Sequence, residues 1–230
     1  MNPKTLDHVA LWVADRDRIA DFSTRLLGMH IIERTDKFTL VGADARRGKL
    51  TLFEAEGPRE PGALRHIALR VGDLGSVSPE LAEQADQESG GLFVDVAEGL
   101  RIGIVEAETD LDYDLDHVAL YSPGPGETAA EYETLGFRRA EPGGSGAPRV
   151  EVGGAYVELH RGRADEPERP LLNHIAVLVD SAEAHIDAAN ELGIEIADVV
   201  DAPNTYAVFL WGPDRVKVEY VEHKPSFSLV

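Results

Sequence analysis

At 230 residues and 43% apolar side chains, the chain has the length of one large or two small domains and enough apolar surface to bury a core. Twenty-two basic against 42 acidic residues give a formal net charge of -20, which repels nucleic-acid phosphates and anionic lipid surfaces, so neither is an expected partner. With no cysteine there is no disulfide, zinc-thiolate site or thiol nucleophile, and any metal must be held by His and carboxylates.

No run approaches the roughly 20 apolar residues of a membrane span, and the start Met1-Asn2-Pro3-Lys4 lacks the apolar core of a signal peptide, so a soluble cytoplasmic protein is expected. The acidic surplus reads as a solvated surface and does not identify a substrate.

The first predicted element, Leu6-Asp7-His8-Val9-Ala10-Leu11, is a short aliphatic strand that recurs three times. Its copies are Leu64-Arg65-His66-Ile67-Ala68-Leu69, Leu115-Asp116-His117-Val118-Ala119-Leu120 and Leu172-Asn173-His174-Ile175-Ala176-Val177, with the His residues 58, 51 and 57 positions apart. After the first copy, Asp15-Arg16-Asp17 starts an amphipathic helix through Ile19, Phe22, Leu26 and Leu27 that Gly28 closes. Similar helices end at Leu135-Gly136 and Leu192-Gly193, and a second helix is expected from Pro79 to Ser89. Short strands then follow in each copy: Phe38 to Val41 and Leu50 to Phe53; Phe93 to Val96 and Arg101 to Val105; Val150 to Val152 and Tyr156 to His160; Ala207 to Trp211 and Val216 to Val221. The unit reads β-α-β-β-β, four times.

The four His strands, the run Phe22-Ser23-Thr24-Arg25-Leu26-Leu27-Gly28-Met29, and Gly212-Pro213-Asp214 before Lys217-Val218-Glu219-Tyr220 together resemble the vicinal oxygen chelate superfamily. That group includes glyoxalase I, bleomycin and fosfomycin resistance proteins, and type I extradiol ring-cleaving dioxygenases. The resemblance implies an α+β fold in which βαβββ modules pair into two open cupped sheets with the His strands central. In chain order this gives an N-terminal pair, residues 1–110, and a C-terminal pair, 111–230, joined near Thr109 to Leu115.

The superfamily's ligand pattern is a His on the first strand of each paired unit and a Glu on the last. A strand-borne His is more often structural than a ligand, so the carboxylates decide. The second half supplies His117 with Glu158 and His174 with Glu219, both carboxylates among apolar neighbours where an unpaired charge is costly. Aligned through Gly57 and Gly162, the first half has Phe53 at the position of Glu158, with Glu54 on the opposite strand face and restored by a one-residue slip; matching residues 101–106 with 217–222 puts Gly103 at the position of Glu219. One divalent metal is therefore expected in the second half, with His8 and His66 as relics in a metal-free cup.

His117, His174 and Glu219 form a 2-His-1-carboxylate set suited to Fe(II) or Mn(II) and O₂. Adding Glu158 gives a 2-His-2-carboxylate set suited to Ni, Zn or Co as Lewis acid, as in glyoxalase I. In the extradiol dioxygenase reading, His160 is the acid-base residue, and its alternative is a strand-end His turned to solvent. Phe209 stands where the dioxygenase signature has Tyr, and Val200, Asp201 and Asn204 occupy the region of a signature His. The alternatives are a glyoxalase I-like isomerase or lyase, with Glu158 and Glu219 alternating as base and ligand, and a non-enzymatic bleomycin-resistance-type binder. Tyr121, Tyr156, Tyr206 and Phe209 are the candidate pocket residues for a small, partly apolar substrate, an aromatic diol in the dioxygenase reading. A homo-oligomer is expected.

Overall fold

The computed structural model describes residues 1–88, 90–163 and 167–230. The first unit comprises β1 (Thr5–Val13), α1 (Arg16–Leu26), β2 (His30–Arg34), β3 (Phe38–Gly42) and β4 (Lys49–Glu54). The second follows with β5 (Leu64–Val71), α2 (Pro79–Gln84), β6 (Asp86–Glu88), β7 (Gly91–Ala97) and β8 (Leu100–Glu106). The third is β9 (Asp114–Ser122), α3 (Pro125–Thr134), β10 (Arg138–Ala140), β11 (Arg149–Val152) and β12 (Ala155–Arg161). The fourth is β13 (Leu172–Leu178), α4 (Ala182–Leu192), β14 (Ile196–Asp201), β15 (Thr205–Trp211) and β16 (Lys217–His223).

Helix ends follow local chemistry. The Asp15 side chain accepts the Arg18 N–H at the start of α1, Ser181 accepts that of Ala184 at the start of α4, and Gly193 ends α4 in the left-handed conformation, with φ 68°. α2 is shorter than the sequence predicts. Ser78 caps it and Leu81 is buried, but Ala85 turns extended and residues 86–88 become a strand; its expected end, Ser89, lies outside the described residues. The strand directly after each helix was not located in the sequence, because β2, β6, β10 and β14 are exposed edge strands with little apolar periodicity.

Among the described residues, sixteen strands make two eight-stranded sheets, ordered β14-β15-β16-β13-β1-β4-β3-β2 and β10-β11-β12-β9-β5-β8-β7-β6. The four His strands are central, but the pairing differs from chain order. The first unit joins the fourth through antiparallel β1 and β13, and the second joins the third through β5 and β9. The two sheets are therefore nested, and neither corresponds to residues 1–110 or 111–230. Val9, Leu11, Val118, Leu120, Ile175 and Val177 enter one continuous core with the helices, so the His residues lie on the opposite faces of the sheets. No helix among the described residues is long and apolar enough to cross a membrane.

Each His strand carries an irregularity at the residue before its His. In the β1–β13 ladder Leu6 pairs with Val177 and His8 with Ala176, leaving Asp7 extra, and Asn173 is extra between His174 and Leu172. Arg65 and Asp116 are the corresponding residues of β5 and β9. A bulge re-aims a side chain that would otherwise point to the opposite face. It brings Asp7, Asp116 and Asn173 alongside the imidazoles that follow them.

Candidate metal centre

In the sheet of units one and four, β1, β13 and β16 bring His8, His174 and Glu219 together. His8 Nε2 lies 3.1 Å from His174 Nε2 and 3.1 Å from Glu219 Oε2, and His174 Nε2 lies 2.8 Å from the same oxygen. Among the described residues this is the one group of three or more His and carboxylate donors close enough to share an ion. Behind it, His8 Nδ1 lies 2.9 Å from Asp7 Oδ2, and His174 Nδ1 lies 3.1 Å from Asn173 Oδ1. Those acceptors take the Nδ1 protons and leave both Nε2 atoms as lone pairs facing a carboxylate.

Three lone pairs converging in a buried space repel one another unless a positive charge sits among them, a proton on His8 in the metal-free protein or a metal cation. The polar surroundings carry the same signature. Burial disfavours charge on His8, but Glu219 and Asp7 outweigh it and raise its pKa to about 9. Burial works against the ionised Glu219 too, yet the charges of His174 and His8 bring it down to about 2. His174 is lowered, chiefly by burial. Glu219 Oε2 is fully buried and has no hydrogen-bond donor of adequate geometry. The donor set and the orphaned oxygen both fit a divalent cation.

Asp7 is itself fully buried, and despite burial its carboxyl is held well below the usual range by the Lys49 ammonium, with His223 and His8 adding hydrogen bonds. Lys49 Nζ lies 2.6 Å from Oδ2 and His223 Nε2 lies 2.8 Å from Oδ1. Phe209, with its ring 5.0 Å from that of His174, and Phe53, at 6.4 Å, wall the centre.

The fourth corner of the site follows from ladder register. Glu219 pairs with Ala176, two residues beyond His174, and Glu158 pairs with Ala119, two residues beyond His117. The matching partners in the other two units are Thr51 opposite Ala10 and Gly103 opposite Ala68. Thr51 therefore stands at the position the sequence alignment gave to Phe53, while Gly103 stands where it was expected.

The other sheet assembles a related but altered group. His66 Nε2 lies 2.9 Å from His117 Nε2, and His117 Nδ1 lies 2.6 Å from Asp116 Oδ1. Glu158, however, is held by Arg149 Nε at 2.7 Å and Nη2 at 2.6 Å, by Ser145 Oγ at 2.9 Å and by His160 Nε2 at 2.7 Å. These donors overcome burial and hold its carboxyl well below the usual range. The Arg149 guanidinium supplies the positive charge there. Beside Gly103 the ring of Phe93 fills the space, such that a Cβ on that glycine would meet it at 2.6 Å. Burial, His117 and Arg65 push His66 down to about 3, so its imidazole is neutral.

Of the residues expected to form one metal set, the structure brings together His174 and Glu219 but not His117 or Glu158, which lie in the other sheet. His8, expected to be a relic, completes the group in their place, because unit one and not unit three pairs with unit four. His160 also lies in the other cup, with Arg65 Nη1 2.8 Å from its Nδ1. Tyr156 stacks on His117 there at 4.7 Å, and Tyr121 lies against Gly162. Tyr206 points outward and donates its hydroxyl to Glu183 at 3.0 Å. Phe209 alone of the four expected pocket residues borders the candidate centre. Four equivalent His strands in a sequence leave the pairing open, and no local signal singles out His8.

No curated protein matches the sequence. Residues 5–103 match the model of the Glyoxalase/Bleomycin resistance protein/Dioxygenase superfamily. Among solved structures, a candidate dioxygenase from Bacillus subtilis superposes with a TM-score of 0.80 at 18% identity, over 98% of this chain and 87% of that one. Glyoxalase I from Zea mays gives 0.73 at 18% identity, over 95% and 92%. The CppA protein of Streptococcus pneumoniae gives 0.63 at 14% identity, over 96% and 99%. Four βαβββ units closed into two cupped sheets give the chain the fold of these structures, and its first two units, residues 5–103, match the Glyoxalase/Bleomycin resistance protein/Dioxygenase superfamily model.

Proposed function

We propose that the protein is a divalent-metal-dependent oxidoreductase of the extradiol type, in which His8, His174 and Glu219 hold Fe(II) or Mn(II) for oxygen-dependent cleavage of an aromatic diol. The observation that carries this reading is Thr51 at the fourth corner. A second carboxylate there would complete the 2-His-2-carboxylate set of a Lewis-acid isomerase, whereas Thr51 leaves a 2-His-1-carboxylate set. Such a set, when loaded, supplies redox chemistry toward dioxygen with coordination positions to spare.

The chain's own residues do the positioning. Asp7 and Asn173 accept the Nδ1 protons and fix the tautomers of His8 and His174, so that both Nε2 atoms face the metal. Lys49 and His223 keep Asp7 ionised for that task. Phe53 and Phe209 present hydrocarbon around His174 and restrict water.

The test is anaerobic reconstitution with Fe(II), Mn(II), Ni(II) or Zn(II), followed by oxygen uptake with catechols and isomerisation of hemithioacetals. Oxygen uptake with iron or manganese is the expected result. Hemithioacetal turnover with nickel or zinc and no oxygen uptake would replace this reading by the glyoxalase one, and metal-free protein with neither activity by that of a binder.

A further inference from the structure

A cavity of about 270 Å³ opens at one end of the sheet of units one and four, lined among others by Trp12, Trp211, Lys217, Asn173, Pro61 and Pro170. It adjoins the candidate centre. Lys217 lies two residues before Glu219 on β16 and so on the same sheet face, and Asn173 is the acceptor for His174 Nδ1. Trp12 packs on Phe53 with ring centroids 5.2 Å apart, and Phe53 in turn faces His174. Trp12 and Trp211 are the two tryptophans of the chain.

Cations gather at these indoles although the chain carries a net charge of -20. Arg59 lies over Trp12 at 5.7 Å, and Arg215 and Lys217 lie over Trp211 at 4.0 and 5.8 Å. Arg215 is also within 3.5 Å of Glu195. Of the acidic residues at the rim, Glu168 is exposed and Asp214 accepts the Thr128 hydroxyl. Lys217 differs from its neighbours. It is half-buried, Asp198 and Glu219 act on it only at longer range, and among the described residues it makes no hydrogen bond and no ion pair. A half-buried ammonium without a counter-ion is costly, and an anionic ligand group relieves that cost.

We propose that this cavity binds a single-ring aromatic carboxylate, with the ring between Trp12 and Trp211 and the carboxylate on Lys217. Two residues of strand separate Lys217 from Glu219, about 7 Å, which is the span of one substituted benzene ring. The opposite edge of the ring therefore reaches the metal centre, and this orientation is the part that rests on the dioxygenase reading. A cavity of this volume accommodates one ring.

Because both tryptophans line the cavity, intrinsic fluorescence reports occupancy without turnover. Metal-free protein would be titrated with 3,4-dihydroxybenzoate and with the uncharged 4-methylcatechol, with calorimetry as a second readout. The carboxylate should bind at least about tenfold more tightly and quench the emission. Lys217→Gln should abolish that preference, bringing the two probes to similar affinity, and Lys217→Arg should restore most of it. Raising the ionic strength on wild-type protein should narrow the gap, a measurement independent of any variant. Equal affinity for the two probes in wild-type protein, or an undiminished preference in Lys217→Gln, would overturn the proposal. Binding with this preference but no oxygen uptake removes the dioxygenase reading and leaves the cavity assignment standing. Oxygen uptake that is indifferent to the carboxylate does the reverse.

Discussion

Asp7 and His8 are consecutive residues on one strand, yet their side chains meet, with Oδ2 of Asp7 2.9 Å from Nδ1 of His8. The bulge at Asp7 makes this contact possible and turns a residue that would face the core into the support of an imidazole of the candidate centre. Asp7→Asn keeps an acceptor but removes the charge that Lys49 neutralises. Metal affinity should fall roughly 10- to 100-fold, the usual cost of losing such a support, as read by competition with a chromophoric chelator. Asp7→Ala should in addition destabilise the fold by about 3–5 kcal/mol, because it leaves the buried Lys49 unpaired.

His8 and His117 separate two ligand sets that share His174 and Glu219. His8→Ala, His174→Ala and Glu219→Gln should each bring bound metal to background, while His117→Ala should leave metal content unchanged. Elemental analysis of the four purified variants decides it. Metal loss in His117→Ala with retention in His8→Ala would reverse the assignment.

Metal uptake should depend on pH through His8. In the metal-free protein its pKa is raised to about 9, so at neutral pH a proton occupies the place of the cation and must leave on binding. Glu219, at about 2, and His174, lowered, contribute no further proton there. Apparent affinity should rise about tenfold per pH unit toward pH 9 and then level off. Titration in weakly buffered solution should release close to one proton per metal bound.

His66 ties acid stability to the second cup. Its pKa is about 3 when folded against 6.5 when unfolded, so the unfolded chain binds the extra proton between those values. Stability from this group is therefore complete above about pH 6.5 and declines as pH falls toward 3, by up to about 1.4 kcal/mol per pH unit. Urea unfolding of metal-free protein across this range should show the slope, and His66→Gln should lose close to one proton of it.

The repeat and the helix boundaries at Asp15 and Gly193 were legible because each rests on local pattern, and the central place of the His strands followed from the family resemblance. β2, β6, β10 and β14 were not, since exposed edge strands need no apolar alternation. The site was half legible. His174 and Glu219 sit in apolar runs where an ionisable group stands out, but which His joins them depends on which unit closes the sheet. The error between Phe53 and Thr51 has a simple origin. Gly57 follows Thr51 by six residues and Gly162 follows Glu158 by four, so aligning through a loop glycine imported a loop insertion into the strands.

Nesting the units has a consequence for assembly. The second and third units are neighbours in the chain and can associate early, whereas the first must wait for the fourth. His8 and Glu219 are 211 positions apart, and closing that span is among the slowest kinds of contact to form. A chain cut short before β16 retains every strand of the inner sheet but lacks Glu219. Assembly of His8, His174 and Glu219 thus reports that the fourth unit has been made and has closed the outer sheet on the first.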